Sequence, residues 1–307
     1  MMGLLLPASW HLIAASCPRY HPVRFILSRH TWLPFADIPG TFSLSDLYDD
    51  LKQSFPEGFV IRGCHPAISD LFVSKQHDTF RTGIDAVLVL SDRSHFEGRK
   101  VQASLKRGWR HGAVEEVLPD AVHAERYRDL LAASPHVRKP QLRHLFRTHP
   151  LHASRCFVFS SFTGNWLACL TLSRRGERAY HTELMLRRKE APGDIMECLI
   201  TETASRLRQE GAAELSLGEV PFLLHAHDHQ PLNLLEQLFF AVAPVFSHVY
   251  DYESLYAFKN KFCPVWRTMR FCAGPGVKFS PTFLSELAWS MGLVELLGFG
   301  GESSAVR

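Results

Sequence analysis

The chain has 307 residues, 46% of them hydrophobic and 21% charged, which excludes a disordered polymer and predicts a packed core of one large domain or two smaller ones. Its net charge of +3 is too small to argue by itself for a nucleic-acid partner, so the distribution of charge has to decide that point. No apolar run approaches the roughly 20 residues of a membrane helix, and seven scattered cysteines without a C-x-x-C fit free thiols in a reducing, cytoplasmic setting rather than a disulfide framework.

Residues 1–40 read as an irregular N-terminal arm, punctuated by Pro7, Pro18, Pro22, Pro34 and Pro39. Its opening MMGLLLPASWHLIAAS lacks a basic n-region and is interrupted by Pro7 and His11, so a hydrophobic arm or a misassigned start is expected rather than a signal peptide. Regular structure is predicted from Ser43, in a first half spanning 41–150. Ser43 or Ser45 caps a helix with Leu44, Leu47 and Leu51 as its apolar stripe. Phe59 to Arg62 is a short strand and Asp85 to Leu90 a fully apolar, buried one.

The segment FEGRKVQASLKRGWRHG predicts a basic helix stopped at Gly112. Val101, Leu105 and Trp109 make a core stripe, while Arg99, Lys106 and Arg110 line another face with Lys100 and Arg107 beside them. Most such faces are merely solvated, but five cations against Glu97 is a one-sided balance that suits a phosphate backbone. A strand over Ala113 to Val117 and an amphipathic helix over Ala121 to Ala133 follow. His136 to His149 is a second basic segment, with Arg138, Lys139, Arg143 and Arg147.

The second half, 151–307, is expected to carry the active site. Cys156 to Phe162 and Trp166 to Leu172 form a hairpin around Thr163-Gly164-Asn165, and Ala179 to Leu186 is a third strand. A helix runs from Ile195 to Gln209 with Asp194 and Glu197 at capping-box spacing, and Glu214 to Leu217 is a buried strand. Three antiparallel strands, a helix and a further strand make an α+β, Gcn5-related N-acetyltransferase-like core. The first half reads as a worn copy of it: a tandem of mixed sheets flanked by helices. The RRKEAPGD loop before the helix disfavours coenzyme A, because Pro192 removes an amide donor and Asp194 puts negative charge at the helix end. The HAHDH run places His225, His227 and His229 in alternation, but it is one residue short of the binuclear-hydrolase pattern, so no metal is expected.

Near the end of the chain, YESLYAFKNKFCPVWRTMRF sets Lys259 and Lys261 among Tyr256, Phe258, Phe262 and Trp266. As an extended stretch it puts both lysines on one face. Such a pair is either a solvated edge or the two sides of an anion site.

LYAFKNKFCPVW resembles the closing F-K-x-K-F-x-P-x-W signature of the phosphatidylglycerol lysyltransferase family, the soluble domain of the aminoacyl-phosphatidylglycerol synthases. The matching residues are Phe258, Lys259, Lys261, Phe262, Pro264 and Trp266. Further likeness lies at Leu184, Met185, Ala191, Pro192, Met196, Leu199, Gly211, Ser216, Leu217, Gly218 and Pro221, and the resemblance covers about residues 80–272. In the family's D-L-M-R, this chain has Glu183 for Asp and Leu186 for Arg, with Arg187 and Arg188 one and two places on.

The resemblance implies an aminoacyl-tRNA-dependent aminoacyltransferase acting on a hydroxyl acceptor, phosphatidylglycerol or another lipid, without a cofactor beyond the tRNA co-substrate, and at the inner face of the membrane if peripheral. Under it, Glu183, Lys259 and Lys261 are the expected catalytic residues, and Arg187, Arg188, Glu219 and Arg270 the expected substrate contacts. Arg99, Lys100, Lys106, Arg107 and Arg110 are then the expected tRNA contacts. A non-catalytic RNA- or anionic-lipid-binding relative and an acyl-CoA transferase are the competing readings.

Overall fold

The computed structural model describes residues 4–118, 121–135, 142–148, 155–225, 230–244 and 251–296. Its strands are β1 (His11–Ile13), β2 (Arg19–Arg24), β3 (Thr31–Pro39), β4 (Phe59–Cys64), β5 (Thr79–Val89), β6 (Gly112–Val117), β7 (Arg155–Ser161), β8 (Trp166–Gly176), β9 (Ala179–Arg187), β10 (Glu214–Pro221) and β11 (Val265–Ala273). They form one 11-stranded sheet in the order β1-β3-β4-β11-β5-β10-β9-β8-β7-β6, with β2 also on β3. The pairs β1–β3, β3–β4 and β9–β10 are parallel and the rest antiparallel. Strands from either side of residue 150 interleave, since β11 lies between β4 and β5 and β10 takes the other edge of β5.

The helices are α1 (Leu44–Ser54), α2 (Pro66–Ser74), α3 (Ser94–Glu97), α4 (Arg99–Gly108), α5 (Ala121–Ala132), α6 (Ile195–Gln209), α7 (Leu234–Ala241), α8 (Tyr252–Asn260), α9 (Pro281–Ser290) and α10 (Leu293–Leu296). Alternation along β8 shows how they cover the sheet. Ala168, Leu170 and Leu172 share a core with α4 and α6, whereas Trp166 and Cys169 join Tyr127 and Leu130 of α5. Helices therefore pack on both faces, the expected mixed α+β architecture. Ser43 caps α1 in a full capping box with Asp46.

Two expectations are corrected. The irregular N-terminal arm contains β1, β2 and β3. Two of its prolines fall where a ladder needs no donor: Pro22 at the register shift of β2, and Pro34 between the β4 pairing that ends at Leu33 and the β1 pairing that begins at Asp37. The stretch around Lys259 is helical up to Asn260, not extended. Asp251 caps it by accepting from Ser254 N at 2.9 Å, and Tyr252, Leu255, Tyr256 and Lys259 recur at helical spacing.

The basic helix α4 is fixed to α6 by a close approach at its last residue. A Cβ on Gly108 would lie 2.5 Å from Cys198 Sγ and 2.8 Å from Asp194 O. Ahead of α4, His95 accepts from Val89 N at 3.0 Å through Nε2, so its Nδ1–H donates toward the Phe262 and Cys263 carbonyls, each at 3.0 Å. Gly108→Ala is expected to lower stability by about 1–3 kcal/mol despite better helix propensity, because backbone cannot give way like a side chain. A lower urea midpoint at unchanged slope checks it.

Candidate active site

The site is organised by two parallel strands that separate. β9 and β10 pair only from Ala179 to His181 against Glu214 to Ser216. Beyond that point β9 stays with β8, while β10 changes register on β5 between Ser216 and Glu219, with Gly218 at φ +90°. Parting strands strand their carbonyls. Lys259 supplies the missing donors: its Nζ donates to Gly218 O at 2.8 Å and Glu219 O at 3.1 Å, and the residue is 2% exposed. Burial pushes its ammonium down to about 8, against the pull of Asp85 and Glu219.

Lys259 and Lys261 do not form a pair. Two positions in a helix are about 200° apart around its axis, so they reach different partners. Lys261 Nζ donates to Glu197 Oε1 at 2.8 Å and stands 5.3 Å from the Phe258 ring centroid. The Lys261 side chain is 34% exposed and that of Glu197 3%, and Glu197 Oε2 is buried without a partner. The capping box expected at α6 does not form. Asp194 has helical angles and no capping bond; its carboxylate takes Arg107 at 2.7 and 2.8 Å and is held below the usual range by that bond.

Beside this pair lies an open cavity of about 180 Å³, lined by Pro135, Met185, Arg187, Met196 and Phe258. The Arg187 guanidinium donates to Ala191 O and, at 3.3 Å, to Arg188 O. Leu186, where the family signature has Arg, is buried with Tyr127, Leu130 and Trp166 on the opposite face of β9 from Met185. The cation nearest that signature position in the cavity wall is therefore Arg187. Arg188 points elsewhere, donating to Trp166 O at 2.7 Å.

The remaining expected residues lie in a buried polar layer beneath the N-terminal segment. Glu183 accepts from Ser173 Oγ at 2.5 Å, Ser9 Oγ at 2.9 Å and Arg147 N at 3.0 Å. Glu219 accepts from Arg62 at 2.9 Å and from the Thr82 hydroxyl. Ser216 donates to Asp85 at 2.6 Å, so His181 Nδ1–H, 3.0 Å from the same hydroxyl, is the donor there. Burial pushes the His181 imidazole down to about 4, and its Nε2 has no partner. Burial raises Asp85, but Arg175, His181, Ser216 and Lys259 together outweigh it and hold the carboxyl low. Arg270, well along β11, reaches Thr79 Oγ1 at 3.4 Å.

Of the basic residues, Arg99, Lys100 and Lys106 are exposed on α4, Arg110 is exposed in the turn just past it, since the helix ends at Gly108 rather than at Gly112, and Arg107 is engaged by Asp194. In the second basic segment Arg147 is buried against Asp37 and the Ser9 and Ala36 carbonyls, and Arg143 pairs with Glu295. Arg138, Lys139, His227 and His229 lie outside the described residues. Glu197 is the residue that sequence reasoning assigned to the wrong partner. Its signal was an acid in the first turn of a helix, buried at 2% exposure and so in need of a cation.

The domain is thus a mixed α+β fold built on one long sheet whose parallel neighbours β9 and β10 part, with a cavity lined from β9, α6 and α8. The chain belongs to the phosphatidylglycerol lysyltransferase C-terminal family, whose sequence profile matches residues 44–274. It is similar in fold to L-PGS from Bacillus licheniformis, at TM-score 0.57 and 18% identity, over 81% of this chain and 76% of that one. It is also similar to the C-terminal domain of an Agrobacterium fabrum protein assigned as a lysylphosphatidylglycerol synthetase, at TM-score 0.65 and 18% identity, over 90% and 85%. FemX gives 0.50 and 10%, over 80% and 78%. No curated protein matches the chain by sequence. Among the described residues no helix is long and apolar enough to cross a membrane.

Lys259 has a pH signature. Its folded value of about 8 lies below the ordinary 10.5, so the unfolded chain binds more protons between those limits and stability rises with pH across that window. Lys259→Met removes this group, and the difference between wild-type and variant urea stabilities is expected to rise from about pH 8 to 10.5. A flat difference would refute the buried, charged assignment.

Proposed function

We propose that the chain is an aminoacyl-tRNA-dependent transferase that moves an aminoacyl group from tRNA to a hydroxyl acceptor, with phosphatidylglycerol or another lipid as the acceptor class. The observation that carries this reading is the Lys261–Glu197 pair beside the Arg187 cavity, built from the family's closing signature. The donor is an activated ester. The acceptor oxygen attacks its carbonyl, the bond to the tRNA ribose oxygen breaks, and the acceptor's proton ends on that leaving oxygen. Lys261 is the accessible cation for charge developing on the carbonyl oxygen. Met185, Met196 and Phe258 give apolar walls that exclude water. Lys259 acts as a positioning residue that keeps β9 and β10 apart, and Glu183 positions the polar layer beneath. The basic helix α4 ends against the N-terminus of α6, so a phosphate backbone lying on Arg99, Lys106 and Arg110 would bring its acylated end to the cavity.

Lys261→Met is expected to reduce transfer of labelled aminoacyl groups by about 10²–10³-fold. It also leaves the buried Glu197 carboxylate alone, at a cost of about 1–3 kcal/mol. Adding Glu197→Gln should restore the stability and leave transfer low; transfer at the wild-type rate by the folded double variant would reject the assignment.

Transfer RNA binding should weaken with salt. Replacing Arg99, Lys106 and Arg110 with Gln, which keeps helix propensity, should flatten the slope of log K against log salt by about 2–3. An unchanged slope would leave α4 as a merely solvated face.

A second reading, a relative that binds RNA or lipid without turnover, is favoured by one observation. The Glu183 carboxylate is already satisfied by Ser9, Ser173 and Arg147. Salt-dependent tRNA binding with no transfer to any lipid would select it.

A further inference from the structure

The connection between β2 and β3 presents an apolar tip. Ile26 is 86% exposed and Leu27 72% exposed, side by side. The tip is held rather than loose. Leu27 N donates to Glu286 Oε1 at 2.6 Å, Ser28 N donates to the same carboxylate, and Phe25 packs edge-on against Phe283 with ring centroids 5.5 Å apart. Trp289, 67% exposed, follows Glu286 by three residues on α9, and so projects on the side that faces the tip. Arg24 and Arg29 flank it. Arg29 is exposed with no ion-pair partner among the described residues, and the partner of Arg24, Glu57, is itself in water. Leu234, Leu238 and Val242 add an exposed stripe at four-residue spacing along and just past α7. The opposite side of α7 joins the same core, Phe239 packing on Phe80 at 5.2 Å.

We propose that the Ile26–Leu27 tip, with Trp289 beside it, is a wedge that enters the surface of an anionic lipid bilayer while Arg24 and Arg29 meet lipid phosphates. A convex apolar point with a fixed backbone has no groove for a peptide to fill, and it enters acyl chains without a cost of ordering itself. Paired cations at its base complement an anionic headgroup layer, and an exposed indole is the side chain most suited to the boundary between headgroup and acyl chain. The nearby acids do not oppose this: Glu286 is spent on backbone amides, and Glu57 holds Arg24 only through an ion pair in water that a lipid phosphate can replace. The wedge does not rest on the transfer reaction, because a protein without turnover would dock in the same way.

The test is co-sedimentation of the full chain with phosphatidylcholine vesicles, with and without phosphatidylglycerol, together with quenching of tryptophan emission by brominated phosphatidylcholine. Wild type is expected to bind the anionic vesicles more tightly. Ile26→Ser combined with Leu27→Ser, both surface changes, should weaken binding by about tenfold or more. Arg29→Gln should weaken it by about fivefold on anionic vesicles only. Quenching by the brominated lipid should fall in Trp289→Phe while binding persists. Failure of wild type to sediment with any vesicle, or equal binding by the double Ser variant with unchanged circular dichroism, would overturn the proposal. So would a lipid-free dimer that the double Ser variant dissolves, which would assign the tip to a second copy of the chain.

Discussion

The structure depends on keeping two parallel strands apart. Once β9 and β10 diverge after Ser216, the carbonyls of Gly218 and Glu219 have no strand to answer them. An ammonium brought in from α8 takes both. Neutral side chains offer fewer donors at one point, and water has no route to a residue 2% exposed. The charge is tolerated because Asp85 and Glu219 lie near it, and Asp85 is in turn balanced by Arg175. The motif therefore holds the architecture with its first lysine, while its second reaches out to Glu197 and stays partly in water.

That division was not legible in the sequence. The spacing F-K-x-K-F fits an extended reading as well as a helical one, and the deciding residue, Asp251 as a cap, lies outside the motif. Long periodic segments were legible: α1, α5 and α6, and β7 to β10, follow from apolar period and turn residues. The N-terminal strands were hidden by their prolines, which mark irregular chain unless the partner's register is known. The cavity was half legible. Met185, Met196 and Arg187 stand in recognisable family segments, but nothing local reveals that Phe258 closes it or that Glu197 turns to Lys261. Those contacts join residues from α6 and α8 and exist only after the sheet has formed.

Electrostatics separates the molecule into two tasks. Beneath the N-terminal segment, three cations each meet a carboxylate: Arg62 with Glu219, Arg175 with Asp85, Arg147 with Asp37. Such a layer is costly to break and rewards a single arrangement. On α4 the positive charge has no acidic partner among the described residues apart from Asp194 on Arg107, and it faces water. Just ahead of this outward helix, His95 of α3 bonds the carbonyls of Phe262 and Cys263, which follow Lys261.

The place of β11 in the sheet bears on how the chain is made. β4 and β5 follow one another in sequence, yet they never pair; the slot between them is filled by residues 265–273, and the other edge of β5 by residues 214–221. A ribosome therefore releases β5 with both edges open, one of them until residues 214–221 emerge and the other until residues 265–273 do. A sheet closed by such distant partners folds slowly, and its unpaired apolar strand is a template for wrong pairing while it waits. The N-terminal strands β1 to β4 can pair among themselves early, but the last strand added, β11, is the one that joins them to β5.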